Sequence, residues 1–179
     1  MKTIIQSIRT LLVFTVLTGA LYPLIVTGLG RALFAEKADG SLLHADGKII
    51  GSELLAQKNE SPRYFWPRPS AADYATVASG ASNKGPTSAD LVKAIAERRA
   101  KFGADAPADL LTASGSGLDP HISPPAAQSQ AARVAKERGL AVDRVAALIA
   151  THTEAPQWGI FGEGRVNVLA LNLALDSAK

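Results

Sequence analysis

The stretch Asp109–Ser123 (DLLTASGSGLDPHIS) brings Ser114, Ser116, Asp119 and His121 close together along the chain. A serine hydroxyl, an imidazole and a carboxylate are the ingredients of acyl transfer, with the imidazole as base and the carboxylate orienting it. The spacing argues against that chemistry. A hydrolase elbow needs glycine two residues either side of its serine. Ser116 has Ser114 and Leu118 there, and Ser114 has Thr112 and Ser116.

Phosphate and metal chemistry fail on similar grounds. No glycine in the stretch is followed by Lys and then Ser or Thr, and Asn83-Lys84-Gly85-Pro86 inverts the order a phosphate-binding loop requires. His44, His121 and His152 are far apart and form no His-x-x-x-His pair, so no metal site is expected. The expectation is a chain with no catalytic and no metal-ligating residue. Ser114 to Ser123 then reads as an ordered polar loop whose Ser and Asp side chains bond backbone groups. The alternative is a partner-docking surface, because so long a structured loop is seldom mere connection. Candidate docking residues are Ser114, Ser116, Asp119 and His121, with Trp66, Arg68 and Asn83 in the preceding loops.

The elements that must position these residues carry clear punctuation. Ser41 to Gln57 has an Asp46-Gly47 turn between two apolar pairs, a hairpin signal, and Ser52 reads as the N-cap of a short helix carrying Glu53, Leu54 and Leu55. Arg63-Tyr64-Phe65-Trp66 predicts a strand ended by Pro67 and Pro69, and its rings read as core. Thr87 and Asp90 resemble a capping box for a helix running to about Lys101. Ser123 before Pro124 and Pro125 starts a second helix that buries Ala127, Ala131, Val134 and Ala135 and stops at Gly139. Val145, Leu148, Ile149 and His152 share a face of a third. Val166 to Asp176 is apolar, and its Ala and Leu content favours helix with Asn167 as N-cap. Together these give one compact mixed α+β domain.

That domain follows the chain's longest uncharged run, Thr10 to Gly30. As a helix the run covers about 30 Å, the thickness of a bilayer's hydrocarbon core. A cleaved secretory signal ending at Thr18-Gly19-Ala20 is the competing reading, but the apolar run continues well past Ala20, longer than a signal core. The expected organisation is a short cytoplasmic N-terminus over 1–9, a membrane helix over 10–30 and an extracytoplasmic domain over 31–179. Thr15, Gly19, Pro23 and Thr27 recur every four residues as a stripe of small or helix-bending residues that suits packing against a neighbouring span.

Composition narrows the partners. The chain has no cysteine, which permits an oxidising compartment without requiring one. Its 19 basic residues include Lys2 and Arg9, leaving 17 against 16 acidic ones in the domain, so no nucleic-acid partner is expected.

Several segments resemble one family, the C subunits of Kdp-type potassium-transporting P-type ATPases. They are the apolar span with its Tyr22-Pro23-Leu24, Tyr64 to Ala71, Ser79 to Pro86, Leu111 to Ser123, Arg133-Val134-Ala135 and Val166 to Asp176. Ala81 and Lys84 depart from it, standing where Gly and Leu would be more typical. The resemblance implies a non-catalytic accessory subunit of an inner-membrane potassium importer. Its partners would be a channel-like potassium-translocating subunit, a P-type ATP-hydrolysing subunit and a small stabilising membrane subunit. It further implies that the chain raises the pump subunit's ATP affinity as a catalytic chaperone, that ATP and potassium are handled by the complex, and that the chain holds no cofactor itself. The alternative function is a membrane-tethered extracytoplasmic hydrolase using Ser116, Asp119 and His121.

Overall fold

The computed structural model describes residues 1–45 and 47–178. The chain divides into two compact units, Met1–Ile49 and Ile50–Lys179.

The first unit is dominated by helix. α1 (Lys2–Val16) runs through a π-helical turn (Leu17–Leu21) into α2 (Tyr22–Leu33). Together they make a 32-residue helix long and apolar enough to cross a membrane. Neither α1 nor α2 buries a single residue. An apolar helix that its own fold leaves bare is in free-energy balance only in lipid or against another protein. The π-turn has a local cause. Pro23 lacks the N–H that would reach back to Gly19, and its ring crowds the preceding turn. The chain widens instead, and the Tyr22 N–H donates to the Leu17 carbonyl five residues back.

After α2 come a single turn, α3 (Ala35–Ala38), and the strands β1 (Leu42–Ala45) and β2 (Lys48–Ser52), which form a two-stranded sheet. This is the expected hairpin. Asp46 lies outside the described residues, and Gly47 adopts the left-handed φ of +73° that favours glycine.

The second unit is an α+β domain, as the sequence predicts. Its helices are α4 (Ala89–Phe102), α5 (Ala108–Leu111), α6 (Pro124–Arg138), α7 (Val142–Thr151) and α8 (Val168–Ser177). Three short strands, β3 (His121–Ile122), β4 (Thr153–Glu154) and β5 (Arg165–Asn167), form an antiparallel sheet in the order β3-β5-β4. The register sets Ile122 and Thr153 on either side of Val166. The core lies where α6, α7 and α8 meet this sheet, and Val134, Val145, Val166, Leu171 and Leu175 are all essentially solvent-free.

The helix punctuation reads correctly where it is local. Ser123 Oγ accepts from Ala126 N at 3.2 Å, Gly139 closes α6 in the left-handed conformation, and Asn167 Oδ1 accepts from Ala170 N at 3.1 Å. Four expectations need correction. The cap of α4 is Ser88, whose hydroxyl accepts from Leu91 N, so that helix starts one residue later than the Thr87 reading. Ser52 begins no helix, because its Oγ accepts from Leu54 N and closes a turn. His152 caps α7 rather than sharing its buried face, with Nδ1 2.9 Å from the Leu148 carbonyl. Arg63 to Trp66 is not a strand.

Candidate functional site

The Arg63–Pro69 segment is instead an extended strap held by side chains. Phe65 N donates to Asn172 Oδ1 at 2.8 Å, and Asn172 Nδ2 returns a bond to the Phe65 carbonyl at 3.0 Å. Gln130 does the same for Trp66, accepting from its N at 2.9 Å and donating to its carbonyl at 3.2 Å. Two buried amide side chains thus supply the pairings a neighbouring strand would have made.

Two arginines complete the clamp. Arg133 donates to the Tyr64 carbonyl at 3.0 Å and to Gln130 Oε1 at 2.7 Å, with its guanidinium 3.8 Å from the Trp66 ring centroid. Arg138 donates to the Arg63 carbonyl at 2.7 Å and to Asp176 Oδ1 at 2.8 Å. Burial pulls the Arg133 pKa below the ordinary guanidinium value, with nearby Glu137 opposing the shift. The guanidinium stays charged, which suits a donor to carbonyls. Trp66 therefore packs against both Arg133 and Lys101, whose Nζ is 4.2 Å from its centroid, and meets Phe102 edge to face at 5.7 Å.

The strap hands Arg68 to the polar loop. Arg68 Nη1 pairs with Asp119 Oδ2 at 3.1 Å, and Asp119 Oδ1 accepts from His121 N at 3.0 Å. His121 Nδ1 stands 3.8 Å from the same oxygen. Asp109 Oδ2 accepts from Ser123 N at 2.8 Å and ties the two ends of the loop together. Tyr74 donates its hydroxyl to the Arg68 carbonyl at 2.9 Å. Burial, helped by Asp73, holds the Tyr74 phenol above its usual pKa of 10.0. Gly117 has φ +72°, and a Cβ there would sit 2.9 Å from the Gly80 carbonyl, so the Ser79–Pro86 loop can pass this close only because the residue is glycine.

The loop residues singled out from sequence separate into two kinds. Ser114 is 2 % exposed, its N donates to the Pro69 carbonyl at 2.9 Å, and its Oγ has no partner among the described residues. Ser116 is exposed, and its Oγ accepts from Leu118 N at 3.1 Å. Among the described residues no hydrogen bond joins Ser116 to His121, so the serine-base pairing that acyl transfer starts from is not assembled. Arg68, Asp119 and His121 line one open recess together with Asp109, Ser123 and Arg165, while Asn83 stands exposed at φ +52°. No group of three His, Asp or Glu side chains is placed to hold a metal ion among the described residues.

A further surface lies in the β4–β5 connection, which carries no sequence-predicted site residue. Pro156–Gly162, between β4 and β5, folds into a tight turn that exposes Trp158, Ile160 and Phe161. Its signal is a cluster of large apolar residues set among Pro156, Gly159 and Gly162, where turn chemistry rather than burial is expected.

A single helix long and apolar enough to cross a membrane precedes, among the described residues, a small α+β domain whose polar loop is occupied with its own backbone. The family model described as KdpC: K+-transporting ATPase, c chain, matches residues 4–177. Proteins named "Potassium-transporting ATPase KdpC subunit" are similar along nearly their whole length. The Methylococcus capsulatus protein is 53% identical over 183 residues, covering 97% of this chain and 96% of its own. The Polynucleobacter asymbioticus protein is 52% identical over 187 residues, covering 98% and 99%. The Cereibacter sphaeroides protein is 48% identical over 176 residues, covering 96% and 95%. The chain belongs to the KdpC family of potassium-transporting ATPase subunits.

Proposed function

We propose that the chain is a non-catalytic accessory subunit of an ATP-driven potassium importer, anchored by its N-terminal helix and working by contact with other subunits. The observation that carries this reading is the near full-length match to subunits named for a potassium-transporting ATPase. The bare apolar helix supports it.

In this reading the partners are a channel-like potassium-translocating subunit, a P-type ATP-hydrolysing subunit and a small stabilising membrane subunit. Residues 1–9 lie in the cytoplasm, 10–30 cross the inner membrane and 31–179 lie outside it. Thr15, Gly19, Pro23 and Thr27 form the face that packs on a neighbouring span. Four residues of α-helix turn through about 400°, so a four-residue repeat drifts by about 40° per step. A π-turn is wider than an α-turn, so the one at Leu17–Leu21 offsets part of that drift.

The chain also raises the pump subunit's affinity for ATP. A domain outside the membrane cannot touch cytoplasmic nucleotide, so the effect travels through the helix as a difference in contacts between two pump states. The test is potassium-limited growth of cells carrying Ser116→Ala. Accessory function predicts growth like wild type. Loss of growth together with loss of a hydrolytic turnover by the purified chain would overturn it in favour of a hydrolase using Ser116, Asp119 and His121.

A further inference from the structure

Trp158, Ile160 and Phe161 leave 89, 78 and 60 % of their surface exposed on one turn. The exposure is ordered. Gln157 and Phe161 exchange both backbone bonds at 2.8 and 3.0 Å, and Gly159 N donates to the Pro156 carbonyl at 2.9 Å. Trp158 meets Phe161 edge to face at 5.9 Å. Trp158 is held at φ +53°, a conformation that disfavours a bulky side chain. A tryptophan kept both strained and wet, with no core residue against it, adds little to the stability of its own domain, which points to a role outside it.

Three occupants could cover the turn. A second copy of the chain would need a self-complementary patch. A projecting turn needs a concave receiver, whereas the recesses beside His121 and beside Trp66 are lined by charged side chains such as Arg165, Asp109, Lys58 and Arg98, and the more apolar recess between Pro67 and Val168 is small, about 70 Å³. A lipid headgroup surface recruits Lys and Arg. Here the adjoining charges are Glu154, Glu163 and Arg165, with Arg165 already 2.9 Å from Glu154, so the base of the turn carries net negative charge. A protein cleft fits best. Trp is the residue type most enriched in interface hot spots, and a prefolded turn loses little entropy on docking.

We infer that the Pro156–Gly162 turn is a docking knob that seats Trp158, flanked by Ile160 and Phe161, in an apolar cleft on another subunit of the potassium-transporting complex. The inference rests on the accessory-subunit reading and deepens it by naming the surface that does the docking.

The experiment uses the whole complex, with the photo-crosslinker p-benzoylphenylalanine introduced at position 158 of the full chain. Illumination yields an adduct with one other subunit. In parallel, Trp158→Ala speeds dissociation of the chain from the complex about 30-fold on dilution in detergent, the scale of one hot-spot truncation. Its melting temperature stays at the wild-type value, because the side chain packs on nothing in the core. Ile160→Ser shifts dissociation the same way and serves if the first variant misfolds. An adduct with lipid, an adduct with a second copy of this chain, or an intact complex with no adduct and unchanged dissociation overturns the docking knob alone. A wild-type chain that retains no other subunit overturns the accessory reading as well.

Discussion

The strap at Arg63–Pro69 and the turn at Pro156–Gly162 are both short aromatic segments without regular helix or strand, and they meet opposite fates. Phe65 is fully buried, while Trp158 is 89 % exposed. Aromatic content does not decide between them. What differs is the origin of the backbone's hydrogen-bond partners. The strap borrows amide and guanidinium groups from α6 and α8, so its rings are drawn onto the core with the backbone N–H and C=O of both Phe65 and Trp66 paired. The turn satisfies its own backbone through Gln157 and Phe161, and so has no need of the core. A buried loop is permitted only when something pays back the desolvation of its N–H and C=O groups.

Substitutions can break this contrast in order of size. Phe65→Ala removes the ring from the centre of the core and costs about 3–5 kcal/mol, read as the shift in denaturant unfolding of the detergent-solubilised chain. Asn172→Ala strips the Phe65 N–H and carbonyl of their partners at once, for a loss of about 2–4 kcal/mol in the same assay. Asn167→Ala removes the α8 cap and the bond to the Glu53 carbonyl, costing about 1–2 kcal/mol. Trp158→Ala changes stability by no more than about 0.5 kcal/mol. Equal losses at Asn172 and Trp158 would erase the distinction between a strap that serves the fold and a turn that does not.

The same contrast explains what could be read from the residues alone. The apolar run, the Ser123 cap with its two prolines, the Gly139 stop and the Asn167 cap are local signals, each completed within a turn of helix, and each was legible. The strap looks like a strand in the sequence because its partners are Gln130 and Asn172, 64 and 107 residues away, and no periodicity links them. The polar loop was legible as backbone-bonding Ser and Asp, but the burial of Ser114 and the Arg68–Asp119 pair depend on the strap arriving beside it. The three strands escaped notice because two or three residues cannot display alternation. Pro156, Gly159 and Gly162 mark the exposed turn in the sequence, but no local pattern there says that Trp158, Ile160 and Phe161 face solvent.

The proposed function has this chain work by staying attached to a larger potassium-transporting machine. It is tested most directly by purifying a tagged full-length chain from potassium-starved cells in mild detergent and identifying what accompanies it. A stable assembly containing an ATP-hydrolysing subunit and a channel-like subunit in fixed stoichiometry is expected. Recovery of the chain alone, or of a soluble form cut near Leu21, would contradict it.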